Sequence, residues 1–243
     1  MKISKKKQQE NKIKIIETAI DLMIENTYEK TTMRSIAKAC KISDATIYNY
    51  FPTKEKIIWG YIYLRQEQAI KKLETIDSFS EFSVQEKIHT YFETILEGYL
   101  LEKEFMPTVF KLTHQSFLTH STEIVELNTL FCTQIKLFLN QAIHNKEIPD
   151  QPINGIITHL ILDLYFIIFF YWLKDSSEGH EKTTELIDLV LNIMMGVLKE
   201  KLISKFLNIG AFILRHHVFS QIQSLIKGSV FDSFKEDLKG FIK

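Results

Sequence analysis

Between Thr31 and Phe51 the chain permits little besides two short helices joined by a tight turn. Thr31 or Thr32 can cap a helix whose apolar positions Met33, Ile36, Ala37 and Cys40 keep the i, i+3, i+4 spacing of one buried face. Lys41-Ile42-Ser43 is too short for anything but a turn. Ser43 can accept from the backbone N–H groups that open a second helix, Asp44 to Tyr50. Ile42 and Ile47 close the miniature core. Asp44, Ala45, Thr46, Tyr48 and Asn49 are left facing outward, small or hydrogen-bonding rather than a solvated run of charge. A surface of that kind suits the base edges and phosphates of a major groove.

The order of residue types resembles the N-terminal domain of TetR-family transcriptional regulators. Thr31-Thr32, Arg34 and Ile36-Ala37 stand before the turn, and Ser43, Thr46-Ile47-Tyr48, Tyr50-Phe51 and Thr53-Lys54-Glu55 follow it at the family's spacing. The resemblance spans residues 7–68. It implies a DNA-binding domain over residues 8–68, with the helix-turn-helix at about 31–50, and a helical effector-binding and dimerisation domain over residues 69–243. Where the family usually has glycine in the turn, this chain has Lys41. If that residue takes a positive φ, its side chain costs about 1 kcal/mol.

The candidate DNA contacts are Thr32, Arg34, Asp44, Ala45, Thr46, Tyr48, Asn49, Tyr50 and Lys54. Arginine is scarce: the chain has only Arg34, Arg65 and Arg215. The planar fork of Arg34 can pair bidentately with a guanine edge or a phosphate, which lysine cannot imitate; an ordinary surface arginine is the plainer alternative. Lys54 follows the Thr53 cap, where a helix N-terminus presents free N–H groups to an anion, and the resemblance implies a phosphate contact there. Tyr48 and Tyr50 lie on different faces, so Tyr48 is expected to turn its hydroxyl to the phosphate backbone. Tyr50 is expected to be partly packed while still reaching DNA, and Phe51 to be core. Six lysines fall between Lys2 and Lys14, either as a solvated tail or as a basic arm that follows phosphates.

The charge distribution supports this reading even though the net charge is zero. Residues 1–60 hold 12 Lys/Arg against 7 Asp/Glu, and the remainder 18 against 23, a basic head on a mildly acidic body. With 45% hydrophobic and 25% charged residues the composition is that of a soluble globular chain. Cys40 and Cys132 fit no metal-ligand spacing and are expected to be reduced, buried thiols of a cytoplasmic protein. The lysine-rich N-terminus lacks the apolar core of a signal peptide.

Helical periodicity predicts an all-α chain. A first helix is expected at Gln9 to Glu25, and a longer one after Thr53, running to Thr75, is the natural link between the domains. Further helices are expected at Phe82–Leu101, Phe105–Leu118, Thr122–Asn145, Ile153–Lys174, Glu181–Lys199, Lys201–Ile226 and Val230–Ile242. The apolar run from Ile156 to Leu173 is just long enough to span a membrane, but His159 and Asp163 interrupt it and a buried helix is expected, with no membrane as partner. Being four apart, His159 and Asp163 share a face, as a polar pair in a helix interface or as contacts to an effector. With Tyr99, Phe110 and Phe166 they are the candidate lining of an effector pocket. The wealth of aromatics favours a small hydrophobic effector.

The apolar face of Glu181–Lys199 is wider than one core needs, and with Ile153–Lys174 it resembles the pair of helices that forms a four-helix interface in the family. A homodimer reading a pseudo-palindromic operator in double-stranded DNA is therefore expected. The tail beyond Lys201 could extend that interface or cover the pocket. No nucleophile elbow, zinc motif or phosphate loop is present, so neither an enzyme nor a cofactor is expected. The expected function is a repressor released from DNA by its effector. An architectural DNA-binding protein without an effector is the alternative.

Overall fold

The computed structural model describes residues 4–119, 122–150, 154–200 and Lys205. Among the described residues there are nine α-helices and no strand. They are α1 (Lys5–Asn26), α2 (Met33–Cys40), α3 (Asp44–Tyr50), α4 (Lys54–Leu73), α5 (Val84–Gly98), α6 (Met106–Thr119), α7 (Thr122–His144), α8 (Asn154–Lys174) and α9 (Glu181–Lys199). The helices expected over Lys201–Ile226 and Val230–Ile242 lie outside the described residues.

Side-chain caps fix most of the helix starts. Ser4, Thr32, Ser43, Thr53 and Ser83 each accept a hydrogen bond from the backbone N–H three residues on. α1 starts at Lys5 rather than Gln9, so Lys5, Lys6 and Lys7 sit on a helix and not in a loose arm. Thr32, not Thr31, caps α2; Thr31 is buried and donates its hydroxyl to the carbonyls of Leu22 (3.0 Å) and Thr27 (2.9 Å). α5 opens two residues later than its apolar pattern suggested, because Ser83 and Glu86 form a reciprocal capping box there.

The buried faces of α1 (Ile15, Ile16, Ala19, Ile20, Met23), α2 (Met33, Ile36, Ala37, Cys40) and α3 (Ile47) meet Phe51 and the first turns of α4. From there α4 continues into the second group of helices and packs on α5, α6 and α7. Polar pairs mark its course: Arg65 with Glu102 (2.6 Å), Gln66 with the Tyr91 hydroxyl, and Lys72 with Glu97 (2.5 Å). Tyr91, Phe92, Phe131, Tyr165 and Phe169 interlock across α5, α7 and α8 at ring-centroid distances of 5.3–6.3 Å.

α8 departs from the expected buried helix. It is apolar and long enough to span a bilayer by length and composition, yet only 44% of its apolar window is buried. Ile157, Ile161, Ile168 and Trp172 face the core, whereas Ile156, Leu160, Ile167, Phe170 and Tyr171 are exposed. Leu189 and Ile193 of α9, which packs against α8, are exposed too, so both helices carry exposed apolar side chains. Cys40 is buried as expected, while Cys132 is only half-buried.

Candidate nucleic-acid interface and ligand cavity

The turn between α2 and α3 closes without glycine. Lys41 adopts φ 58° and ψ 42°, its N–H bonds back into the last turn of α2, and the Ile42 N–H reaches the Ala37 carbonyl at 3.0 Å. This is the Schellman ending that normally takes glycine, so Lys41 carries the predicted strain. Ser43 then caps α3 twice over: its Oγ accepts from the Thr46 N–H (3.2 Å) and lies 2.8 Å from the Thr46 hydroxyl.

These constraints set the outward face of α3. Asp44, Ala45, Tyr48 and Asn49 are exposed, Tyr48 by 54%, while Ile47 is fully buried beneath them. Thr46 is half-buried. Arg34 projects from the first turn of α2 with its side chain 88% exposed, and its Nε lies 3.7 Å from Asp44 Oδ2. Tyr50 is half-buried and its hydroxyl accepts from Asn11 Nδ2 at 3.1 Å, which ties α3 to α1. Thr32 is exposed, but its hydroxyl is engaged by Ser35.

Lys54 is placed differently from the expectation. Its ammonium donates to the carbonyls of Tyr28 (2.6 Å) and Thr31 (2.7 Å) and lies 4.1 Å from the centre of the Tyr28 ring. Burial lowers its pKa, and Glu29 opposes that shift. In this conformation the lysine braces the entrance to the helix-turn-helix and does not reach toward an outside anion.

A cavity lies among α4, α6, α7, α8 and the turn after α5. Its walls are Ile62, Gln66, Tyr99, Met106, Val109, Phe110, Thr113, Leu127, Asn128, Phe131, Leu162, Tyr165, Phe166 and Phe169. The cavity volume is about 70 Å³. Tyr99, Phe110 and Phe166, from the candidate effector set, line it. His159 and Asp163 do not: both are exposed, on the outer side of α8 with Leu160 and Ile167. Spacing of four shows that two residues share a face, but on a helix apolar all round it does not show which. Among the described residues no group of three His, Cys, Asp or Glu side chains could hold a metal.

Two wall residues escaped the sequence reading. Gln66 interrupts the inward stripe Ile62, Ala69, Leu73, and Asn128 interrupts Ile124, Phe131, Ile135. An amide at a core register position is the signal that could have found them, because such a group requires a partner.

Comparison with known proteins fits this architecture. Residues 15–58 match the model of bacterial regulatory proteins of the tetR family, and residues 87–213, more than half the chain, match that of the tetracyclin repressor-like C-terminal domain. The chain belongs to the TetR family. Among relatives, this TetR-family chain is 34% identical over 86 residues to the uncharacterized HTH-type transcriptional regulator YuxN of Bacillus subtilis, covering 34% of this chain and 30% of YuxN. It is 26% identical over 109 residues to the HTH-type transcriptional regulator UidR of Escherichia coli, covering 45% of this chain and 46% of UidR. The chain thus matches less than half the length of either relative. At the level of fold, a TetR regulator of Nitrosomonas europaea aligns with TM-score 0.56 and 18% identity over 75% of this chain and 97% of its own. The Thermus thermophilus repressor FadR, solved with lauroyl-CoA, aligns with TM-score 0.55 and 18% identity over 76% and 93%.

Proposed function

We propose that this TetR-family chain is a sequence-specific, DNA-binding transcriptional regulator, acting in the cytoplasm as a homodimeric repressor that a small apolar effector releases from its operator. The observation that carries the reading is the outward face of α3. Its exposed side chains are short, hydrogen-bonding or aromatic, with Arg34 beside them on α2, and the helix is held from below by Ile47 and at its ends by Ser43 and Phe51. A rigid helix presenting this set fits a major groove. The contact set proposed is Thr32, Arg34, Asp44, Ala45, Thr46, Tyr48, Asn49 and Tyr50. Lys54 contributes by holding the loop before α2.

Dimerisation is supported by the apolar face over α8 and α9. Ile156, Leu160, Ile167, Phe170, Leu189 and Ile193 would otherwise stay in water, and a two-fold partner would cover them while setting two α3 helices on successive half-sites. His159 and Asp163 belong to this face.

Release is supported by the connections of α7. Leu127, Asn128 and Phe131 of α7 form one wall of the cavity, and Glu123, a turn earlier, pairs with Lys56 in the first turn of α4. A ligand that displaces α7 therefore acts on the helix that follows α3. It shifts the equilibrium only by as much as it binds the released state more tightly. FadR of Thermus thermophilus, bound to lauroyl-CoA, is a fold-level precedent for a ligand in this architecture.

The test is binding to a fluorescent duplex from the DNA upstream of the protein's own gene, at two salt concentrations, beside a scrambled duplex and the Arg34→Ala variant. Tight, sequence-dependent binding that the variant loses supports the reading. Equal weak binding to both duplexes, abolished by salt, refutes it.

A further inference from the structure

The cavity's polar inventory narrows what can enter it. Asn128 Oδ1 is buried and, among the described residues, accepts no hydrogen bond. Of the other polar groups in the wall, the Gln66 amide donates to the Tyr91 hydroxyl and the Thr113 hydroxyl donates to the Val109 carbonyl at 3.0 Å; the hydroxyls of Tyr99 and Tyr165 are the remaining ones. A buried acceptor left open disfavours the empty state, and a ligand that supplies one donor at that point gains what the protein itself does not provide.

We propose that the ligand of this cavity is a neutral, flat, largely apolar molecule carrying one O–H or N–H donor, of the phenol or indole class, which donates to Asn128 Oδ1 while its ring packs on Phe110, Phe131 and Phe166. The proposal rests on the ligand-responsive reading above and specifies the chemistry of its effector. Charge is disfavoured by the same wall. Among the described residues no Lys, Arg, His, Asp or Glu lines the cavity, so a carboxylate or phosphate group inside it would be desolvated without a counter-ion. Arg65 does not supply one, since it pairs with Glu102 at 2.6 Å and lies over the Tyr61 ring. The aromatic side chains here already meet ring to ring, Phe110 edge to face with Phe170 at 4.8 Å and Tyr165 tilted against Phe166 at 6.0 Å, so an aromatic ligand would meet a surface of its own kind.

Three probes of one ring system separate the possibilities: 1-naphthol, naphthalene and 1-naphthoate, each titrated against the full chain and against Asn128→Leu, with affinity read by calorimetry or by quenching of tryptophan fluorescence. The expected result is that 1-naphthol binds the natural protein at least tenfold more tightly than naphthalene, and that 1-naphthoate binds more weakly than 1-naphthol. In Asn128→Leu the advantage of naphthol over naphthalene falls to less than twofold while naphthalene still binds, which shows the variant's cavity to be intact. Equal affinity for naphthol and naphthalene in the natural protein overturns the proposal. So does naphthoate binding as tightly as naphthol, an advantage of naphthol that survives in Asn128→Leu, or no binding of any of the three. None of these outcomes bears on operator recognition, which the duplex experiment tests separately.

Discussion

Replacing Gly60 by alanine sets two well-characterised effects against each other at one position. Gly60 lies inside α4, where glycine costs about 0.8–1.0 kcal/mol relative to alanine, so helix propensity alone forecasts a more stable protein. Packing forecasts the reverse. A Cβ at residue 60 would stand 2.9 Å from Phe51 Cε1 and 3.2 Å from Ile16 Cδ1, inside the distance that carbon atoms normally keep. Both neighbours are buried, so neither can swing into solvent. Overpacking of this kind costs about 1–3 kcal/mol. The expected balance is a loss of about 1 kcal/mol, equivalent to roughly 2–4 °C in Tm for a chain of this size. Because Phe51 closes α3 through its N–H to the Ile47 carbonyl (2.9 Å), the displaced ring also shifts the reading helix, and operator affinity falls with stability. Urea unfolding of Gly60→Ala, Phe51→Leu and the double variant measures the terms. The double variant should be more stable than the sum of the two single losses, by about 1 kcal/mol of coupling. A Gly60→Ala protein as stable as the natural one, or more so, would refute the steric argument.

Asp175 receives four hydrogen bonds, from the N–H and hydroxyl groups of Ser177 and Thr183, at 2.6–3.0 Å. Burial would raise its pKa, but these donors hold the carboxyl well below the usual carboxylate range. Its stabilisation is therefore complete above the unfolded value and lost as pH falls through the native one, and Asp175→Ala should cost about 2–3 kcal/mol in urea unfolding at neutral pH. His89 bridges α5 and α9, 3.5 Å from Glu93 and 3.6 Å from Asp188; Glu93 chiefly raises its pKa against the desolvation that lowers it. Its contribution is full below the ordinary imidazole value and is lost as pH rises through the raised native one, so His89→Gln should lose stability at the acidic end and little in alkaline solution. Lys41→Gly should raise the unfolding free energy by about 0.5–1 kcal/mol, because the left-handed conformation there is relieved of its Cβ. Lys56→Ala or Glu123→Gln should leave operator affinity near that of the natural protein but blunt the response to effector, read as the fold-change in duplex affinity on adding ligand.

The helix-turn-helix was legible because its constraints are local. A cap three residues from its donor, a turn of three residues and one buried stripe are all written within twenty positions, and even the strained Lys41 could be read from the glycine it replaces. The aromatic part of the cavity was legible for a similar reason, since Tyr99, Phe110 and Phe166 stand in apolar helices that must meet somewhere. What escaped depends on contacts distant in sequence. The carbonyls that hold Lys54 belong to Tyr28 and Thr31, more than twenty residues upstream, and nothing local shows that its ammonium turns inward. His159 and Asp163 were assigned to the inside of a helix whose apolar residues surround it on every side, so only its neighbours decide which face is buried. Asn128 was passed over because a single amide in an amphipathic helix normally faces solvent.

The apolar face that α8 and α9 leave exposed has a genetic consequence. In the proposed homodimer, a copy with a ruined α3 would still fold this face, and so would still pair with intact copies. When damaged and intact chains are made in equal amounts and pair at random, only about a quarter of the dimers keep two working reading heads. On that arrangement, a lesion confined to the proposed DNA-contacting side chains would be dominant over the normal allele. A lesion that places charge at Ile167 or Ile193 is recessive, because the altered chain no longer finds a partner to spoil.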